Sequence, residues 1–169
     1  GKVDMVDALD QAVVVLTFAN DRHPDDFGCA FDLGQIWHRR DLMRCLAYYL
    51  TARSLRPTSA IVHHNLGALR RELGDLEGAL LSQQRAVELD PDTAVVHDSL
   101  GLVLVDLGRH AEAEACYRRA LQLDPRYARA YNDLGFCLDA MGRSEEALAS
   151  IRQSIALYDI QRATPEAIK

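Results

Sequence analysis

"SLGLVLVDLGRHAEAEACYRRALQLDP", residues 99–125, is the stretch whose reading decides the fold. Leu100, Val103, Leu104 and Leu107 return every three or four residues, the period of a helix with one apolar face. A second set, Ala113, Cys116, Tyr117, Ala120, Leu121 and Leu123, does the same over residues 110–123. Gly108 separates the two, and Asp124-Pro125 stops the second. A glycine inside a helix costs roughly 1 kcal/mol relative to alanine. Two glycines seven residues apart therefore need a use. Gly108 falls just past the first helix, where glycine takes the left-handed conformation that closes a C-terminus. Gly101 falls inside the first helix, where the second helix of the hairpin is expected to cross near Ala113. Small contact residues let two helix axes approach closely.

The pattern repeats. Leu66-Gly67, Leu100-Gly101 and Leu134-Gly135 are 34 residues apart, as are Pro57, Pro91 and Pro125. Ala79, Gln83, Ala86 and Pro91 keep the intervals of Ala113, Tyr117, Ala120 and Pro125. Ala147, Ile151 and Ser154 keep them too, with Asp159 in place of the proline. The expected organisation is a helix over 1–24 forming half a repeat, a divergent repeat over 26–59 with one residue deleted, repeats over 60–93, 94–127 and 128–161, and a tail over 162–169. Helix pairs are predicted over 26–55, 60–89, 94–123 and 128–158, with a lone helix before residue 21. No stretch alternates with period two for long enough to read as a strand, so the expected class is all-α.

Composition narrows the partners. A net charge of -6 argues against nucleic acid or an anionic membrane as the main partner. The longest aliphatic run, Ala12 to Ala19, is too short to span a bilayer, so no membrane insertion is expected. Cys29, Cys45, Cys116 and Cys137 show no metal or redox spacing and read as reduced core thiols of a cytoplasmic protein. The chain begins with Gly1 rather than Met, which leaves an earlier, removed signal open.

His97, Leu100, Gly101, Leu104, Ala113, Tyr117 and Pro125 resemble the tetratricopeptide repeat, W-x₂-L-G-x₂-Y followed by A-x₃-F and P over 34 residues. His63, Leu66, Gly67, Arg70, Ala79, Gln83 and Pro91 form one further copy, and Tyr131, Leu134, Gly135, Leu138, Ala147 and Ile151 another. The most divergent copy has Ala30, Leu33, Gly34, Trp37, Cys45 and Tyr49. The resemblance covers roughly residues 9–159. It implies a right-handed α-solenoid of helix hairpins whose concave groove, lined by the first helix of each repeat, receives a protein or peptide. Family geometry would place Phe31, Gln35 and His38 in that groove, then His64, Asn65 and Arg71. It adds Val95, Asp98, Leu102, Val105 and Asp106, and finally Arg129, Asn132, Asp133, Phe136 and Asp139. One end of this set is basic and imidazole-rich, the other acidic, with an apolar strip between. The alternative is a solvated face with ordinary charge scatter.

Chemistry beyond binding finds little support. No G-x-S-x-G, P-loop or dinucleotide fingerprint is present, so no catalysis, cofactor or metal is expected. His63 and His97 occupy the same position of successive repeats and are expected to be buried between helices. Within the resemblance, Asn65 matches one asparagine of the chaperone-tail clamp, but Phe31, Gln35, Val95 and Ser99 depart from it. Asp32, Asn65, Ser99 and Asp133 replace most of the asparagine ladder of the O-linked N-acetylglucosamine transferases. Three functions stay open: a non-catalytic scaffold, the substrate-recognition domain of a larger enzyme such as a glycosyltransferase, and a self-assembling structural protein. For the last, Ile151, Ile155 and Leu157 are expected to be partly uncovered and to offer a homo-oligomer contact.

Overall fold

A computed structural model describes residues 2–163 of the chain. Its described residues form nine α-helices and no strand. They are α1 Lys2–Arg22, α2 Phe27–Trp37, α3 Leu42–Leu55, α4 Ala60–Glu72, α5 Leu76–Leu89, α6 Ala94–Asp106, α7 His110–Leu123, α8 Ala128–Ala140 and α9 Ser144–Ala163. The fold class is all-α, built from consecutive antiparallel helix hairpins. The expected tail, residues 162–169, lies mostly outside the described residues; α9 itself runs on to Ala163 rather than ending at 158.

The chain divides into two compact units, residues 1–89 and 90–169. In the first, α2 pairs with α3 and α4 with α5, α1 lies on α2, and α3 lies on α4. In the second, α6 pairs with α7 and α8 with α9, α7 lies on α8, and α6 approaches α8.

Three hairpins turn on Gly74, Gly108 and Gly142, with φ of 79°, 72° and 76°. At each, the next residue donates its N–H to a carbonyl in the helix just ended: Asp75 to Arg70, Arg109 to Leu104 and Arg143 to Leu138, at 2.8–3.0 Å. These bonds satisfy carbonyls that a helix end leaves unpaired. The α2–α3 hairpin omits the glycine. There Asp41 N–H reaches the Trp37 carbonyl at 2.8 Å, and the Asp41 carboxylate caps α3 by accepting from Met43 and Arg44 N–H.

The helix-interior glycines mark the crossings, and a large side chain of the second helix lies nearest each of them. A methyl group on Gly101 would come within 2.6 Å of the Tyr117 ring, a contact that the spacing did not name. Gly67 meets Gln83 and Gly135 meets Ile151 in the same way, and Gly34 faces Tyr49. The large side chain four residues after the repeat's alanine fills the notch that the glycine leaves.

Most crossings are apolar, built from Leu33, Cys45, Tyr49, Leu66, Leu69, Val103, Tyr117, Leu134 and Leu138. The α4–α5 crossing is an exception. Buried Gln83 donates to the His64 carbonyl at 3.2 Å, and Arg70 donates to the Gly78 carbonyl and Ser82 Oγ at 3.0 and 3.1 Å. Buried polar groups that find partners avoid most of the desolvation cost.

His63 and His97 each place Nε2 against the carbonyl of the preceding repeat's proline, Pro57 at 2.9 Å and Pro91 at 2.8 Å. His97 is buried, whereas His63 is only half-buried, so the expectation of burial holds for one of the two. Leu157 is buried as well, contrary to expectation, because α9 turns it inward with Ala147 and Ser154. Leu148 and Ile155 remain more than half exposed on the same helix.

Candidate functional site

The first helix of each hairpin carries the residues named from the sequence. In the first unit these lie on α2 and α4. Phe31 is half-buried, stacked on Phe27 and tilted against Tyr49, with ring centroids 5.7 and 6.0 Å apart. It is a packing residue at least as much as a surface one. Gln35 is exposed. His38 Nε2 lies 3.1 Å from Glu72 Oε1, so this histidine ties the end of α2 to the end of α4. Asn65 is half-buried and donates to Tyr49 Oη at 3.4 Å. His64 and Arg71 are half-buried on α4.

In the second unit α6 and α8 carry the remainder. Val95 is 42% exposed and Phe136 63% exposed. Leu102 and Val105 are half-buried, and Asp106 and Asp139 are exposed. Phe136 is held outward by a helix whose adjacent residues Leu134, Gly135, Cys137 and Leu138 are all buried. Its exposure follows from rigid packing beneath it.

Asp98 departs from the sequence reading. It was expected to supply surface charge, yet it is fully buried. The chain orders it with groups from the start of α8. Tyr127 Oη donates to Asp98 Oδ2 at 3.2 Å, and Arg129 Nε lies 3.5 Å from the same oxygen. Arg129 Nε is also 3.4 Å from Asp133 Oδ2, and Asn132 donates to Asp133 Oδ1 at 3.3 Å. Asp98 Oδ1 is buried with no partner among the described residues. Burial, and next the Asp133 charge, push the Asp98 carboxyl up to about 6, against the opposing pull of Arg129 and the Tyr127 bond. Burial also pushes the Tyr127 phenol up to about 12, helped by the Asp98 charge.

This array joins Asp98, Arg129, Asn132 and Asp133, four of the named residues, and leaves Val95, Phe136 and Asp139 outside it. Tyr127 was missed by sequence reasoning. The available signal was Asp98 itself, a carboxylate inside the apolar run VVHDSLGLVLV, which a buried partner should accompany. The array has no access to solvent at Asp98, so that carboxyl cannot meet a substrate without local opening. Among the described residues no group of His, Cys, Asp and Glu is disposed to hold a metal ion. No helix of the described residues is long and apolar enough to cross a membrane.

Solved structures share this architecture. A crystal structure of MamA superposes with a TM-score of 0.84 at 21% identity, covering 96% of this chain and 95% of that one. MamA 41-end from Desulfovibrio magneticus RS-1 gives 0.83 at 19% identity, with 90% and 87% covered. YrrB, described as a TPR protein with an unusual peptide-binding site, gives 0.76 at 20% identity, with 92% and 80% covered. At these identities the likeness concerns the fold. No curated protein matches the sequence. Two tetratricopeptide repeat models match it, one over residues 60–93 and one over residues 92–160. The chain belongs to the tetratricopeptide repeat family, whose scaffolds are generally non-catalytic and serve protein interaction.

Proposed function

We propose that the chain is a non-catalytic scaffold that holds a partner protein or peptide on the face made by α6 and α8. The observation that carries this reading is Phe136, an aromatic side chain 63% exposed on a helix packed on both sides. Val95 adds apolar surface on α6, and Asp106 and Asp139 add exposed negative charge. Exposed apolar surface rimmed by charge marks interaction sites. The partner segment it fits has apolar anchors and basic flanks, as an amphipathic helix or an extended peptide. That YrrB has a peptide-binding site supports a peptide ligand by analogy.

The test is a titration with a model peptide of leucines and lysines against a matched peptide of leucines and glutamates. The basic peptide should bind, and Phe136→Asp should weaken it at least about ten-fold while circular dichroism stays unchanged. Equal binding of both peptides, or no effect of Phe136→Asp, would remove the reading.

A second reading, self-assembly, draws on α9, where Leu148 and Ile155 are 54% and 55% exposed and Tyr158 is 45% exposed. Sedimentation velocity over a range of concentrations tests it. A single monomeric species, unchanged by Ile155→Glu, would count against it.

A further inference from the structure

Helix α9 is packed along one side. Ala147, Ser154 and Leu157 are buried where α9 pairs with α8, and Ser154 Oγ donates to the Ala128 carbonyl at 2.8 Å. Leu148, Arg152, Ile155, Asp159 and Arg162 recur every three or four residues, so they share one stripe of the helix away from that contact. All of them are exposed, Leu148 by 54% and Ile155 by 55%.

The central charges of the stripe are unmatched within the chain. Elsewhere in this unit arginines hold carboxylates: Arg109 with Glu112, Arg118 with Glu114, Arg129 with Asp133 and Arg143 with Glu146, at 2.6–3.4 Å. Arg152 has Leu148, Ala149, Ile155 and Ala156 at the three- and four-residue positions, so its own helix supplies no carboxylate there. Among the described residues neither Arg152 nor Asp159 forms an ion pair or hydrogen bond, and Asp159 is not joined to Arg162.

Arg152 and Asp159 are seven residues apart, about 10 Å along the axis, too far to pair with each other. They pair with their images when a second α9 lies antiparallel. A two-fold axis at their midpoint, between residues 155 and 156, sets each Arg152 opposite Asp159 of the other copy. It also brings the two Ile155 side chains together at the axis. Arg162 then runs beside Leu148 of the other copy, where its methylenes cover apolar surface. A parallel alignment instead sets Arg152 against Arg152 and Asp159 against Asp159. The stripe is complementary to itself in the antiparallel sense alone.

We propose that α9 is the contact of a two-fold symmetric dimer, in which a second copy of this chain packs antiparallel on the stripe with reciprocal Arg152–Asp159 ion pairs around Ile155. The proposal rests on the self-assembly reading and adds the orientation, the register and the number of copies. An isologous contact of this kind closes on itself and stops at two. Ile155 and Leu148 supply most of the attraction, while exposed ion pairs contribute little each and mainly select the sense of approach. One 20-residue helix per copy makes a small interface, so the expected dimer is weak and concentration-dependent, with Kd between about 10 μM and about 1 mM.

Sedimentation equilibrium of the full chain from about 5 μM to about 2 mM reads it. The parent should fit a monomer–dimer equilibrium. Arg152→Asp and Asp159→Arg should each weaken the dimer at least about five-fold, because like charges then meet at both symmetric positions. The double variant Arg152→Asp/Asp159→Arg restores the pairs in exchanged form and should return to within about two-fold of the parent. An equimolar mixture of the two single variants should dimerise as the parent does, since each supplies the charge that the other lacks. Both side chains are exposed, so circular dichroism and thermal unfolding should be unchanged in every variant.

A monomer at every concentration would overturn the proposal together with the self-assembly reading, and would leave the stripe to a different protein. Association that is lost in Ile155→Glu but indifferent to both single charge variants would overturn the antiparallel register and leave the reading in place. Association that Ile155→Glu does not alter would put the contact elsewhere on the molecule and overturn both. Species larger than a dimer would overturn the isologous contact.

Discussion

Asp98 shows what one residue contributes at a cost. Its carboxyl is fully buried, one oxygen lacks a described partner, and its ordinary value of 3.8 is raised to about 6. The folded state therefore holds the proton more tightly than the unfolded chain. Its stabilising contribution is complete below about pH 4 and is lost as pH rises through about 6. A shift of this size corresponds to on the order of 2–3 kcal/mol between those limits. Asp98→Asn removes the titration. The variant's stability relative to the parent should rise by that amount between pH 4 and pH 8, as measured by urea unfolding at each pH. The difference isolates Asp98, since other carboxylates titrate in both proteins. A relative stability that is flat with pH would mean that Arg129 and Tyr127 fully compensate the buried charge.

At the scale of the helix pair, the glycine notch is the recurrent device. The ring of Tyr117 occupies the space over Gly101, and that ring is itself buried and cannot swing away. Gly101→Val should destabilise by about 1–3 kcal/mol through overpacking. Shortening the opposing side chain should relieve it, so the penalty measured in a Tyr117→Leu background should be smaller. Equal penalties in the two backgrounds would exclude the ring as the cause. The turn glycine acts differently. Gly108 has open space around it and a φ of 72°, so Gly108→Ala costs by backbone strain alone, about 1 kcal/mol. Urea melts of that variant check it, and an unchanged midpoint would show that the turn tolerates a side chain.

These elements also show what the sequence made legible. Helical period, the 34-residue spacing and the glycines defined the hairpins, because each is a local feature. That the Tyr117 ring fills the space over Gly101 was not read, because spacing along a chain does not reveal which side chain leans across a crossing. The polar α4–α5 crossing was signalled by Gln83 at an aromatic position, but the bonds of Arg70 to Gly78 and Ser82 depend on the folded hairpin. At the candidate site, helix position named Phe136 and Asp98 alike, while only packing separates an exposed ring from a buried carboxylate.

At the scale of the molecule, a net charge of -6 sets how a basic ligand arrives. Long-range attraction raises the encounter rate and weakens with salt, whereas desolvated apolar contacts govern how long a complex lasts. On the α6–α8 face these roles fall to different side chains. Asp139 is exposed and accepts a hydrogen bond from Ser144 Oγ at 3.3 Å, and among the described residues no cation pairs with it, so its charge faces solvent. Asp133, by contrast, is partly neutralised by Arg129. Asp139→Asn should therefore lower the association rate of the leucine–lysine peptide by about two- to three-fold at low salt and leave dissociation nearly unchanged. The difference from the parent should shrink as ionic strength approaches about 1 M, where the screening length falls to about 3 Å. Phe136→Ala should do the reverse, speeding dissociation at every salt concentration. Stopped-flow kinetics of both variants across a salt series separates the two effects. If Asp139→Asn changed dissociation as strongly as association, the carboxylate would be a direct contact of the ligand rather than a source of steering.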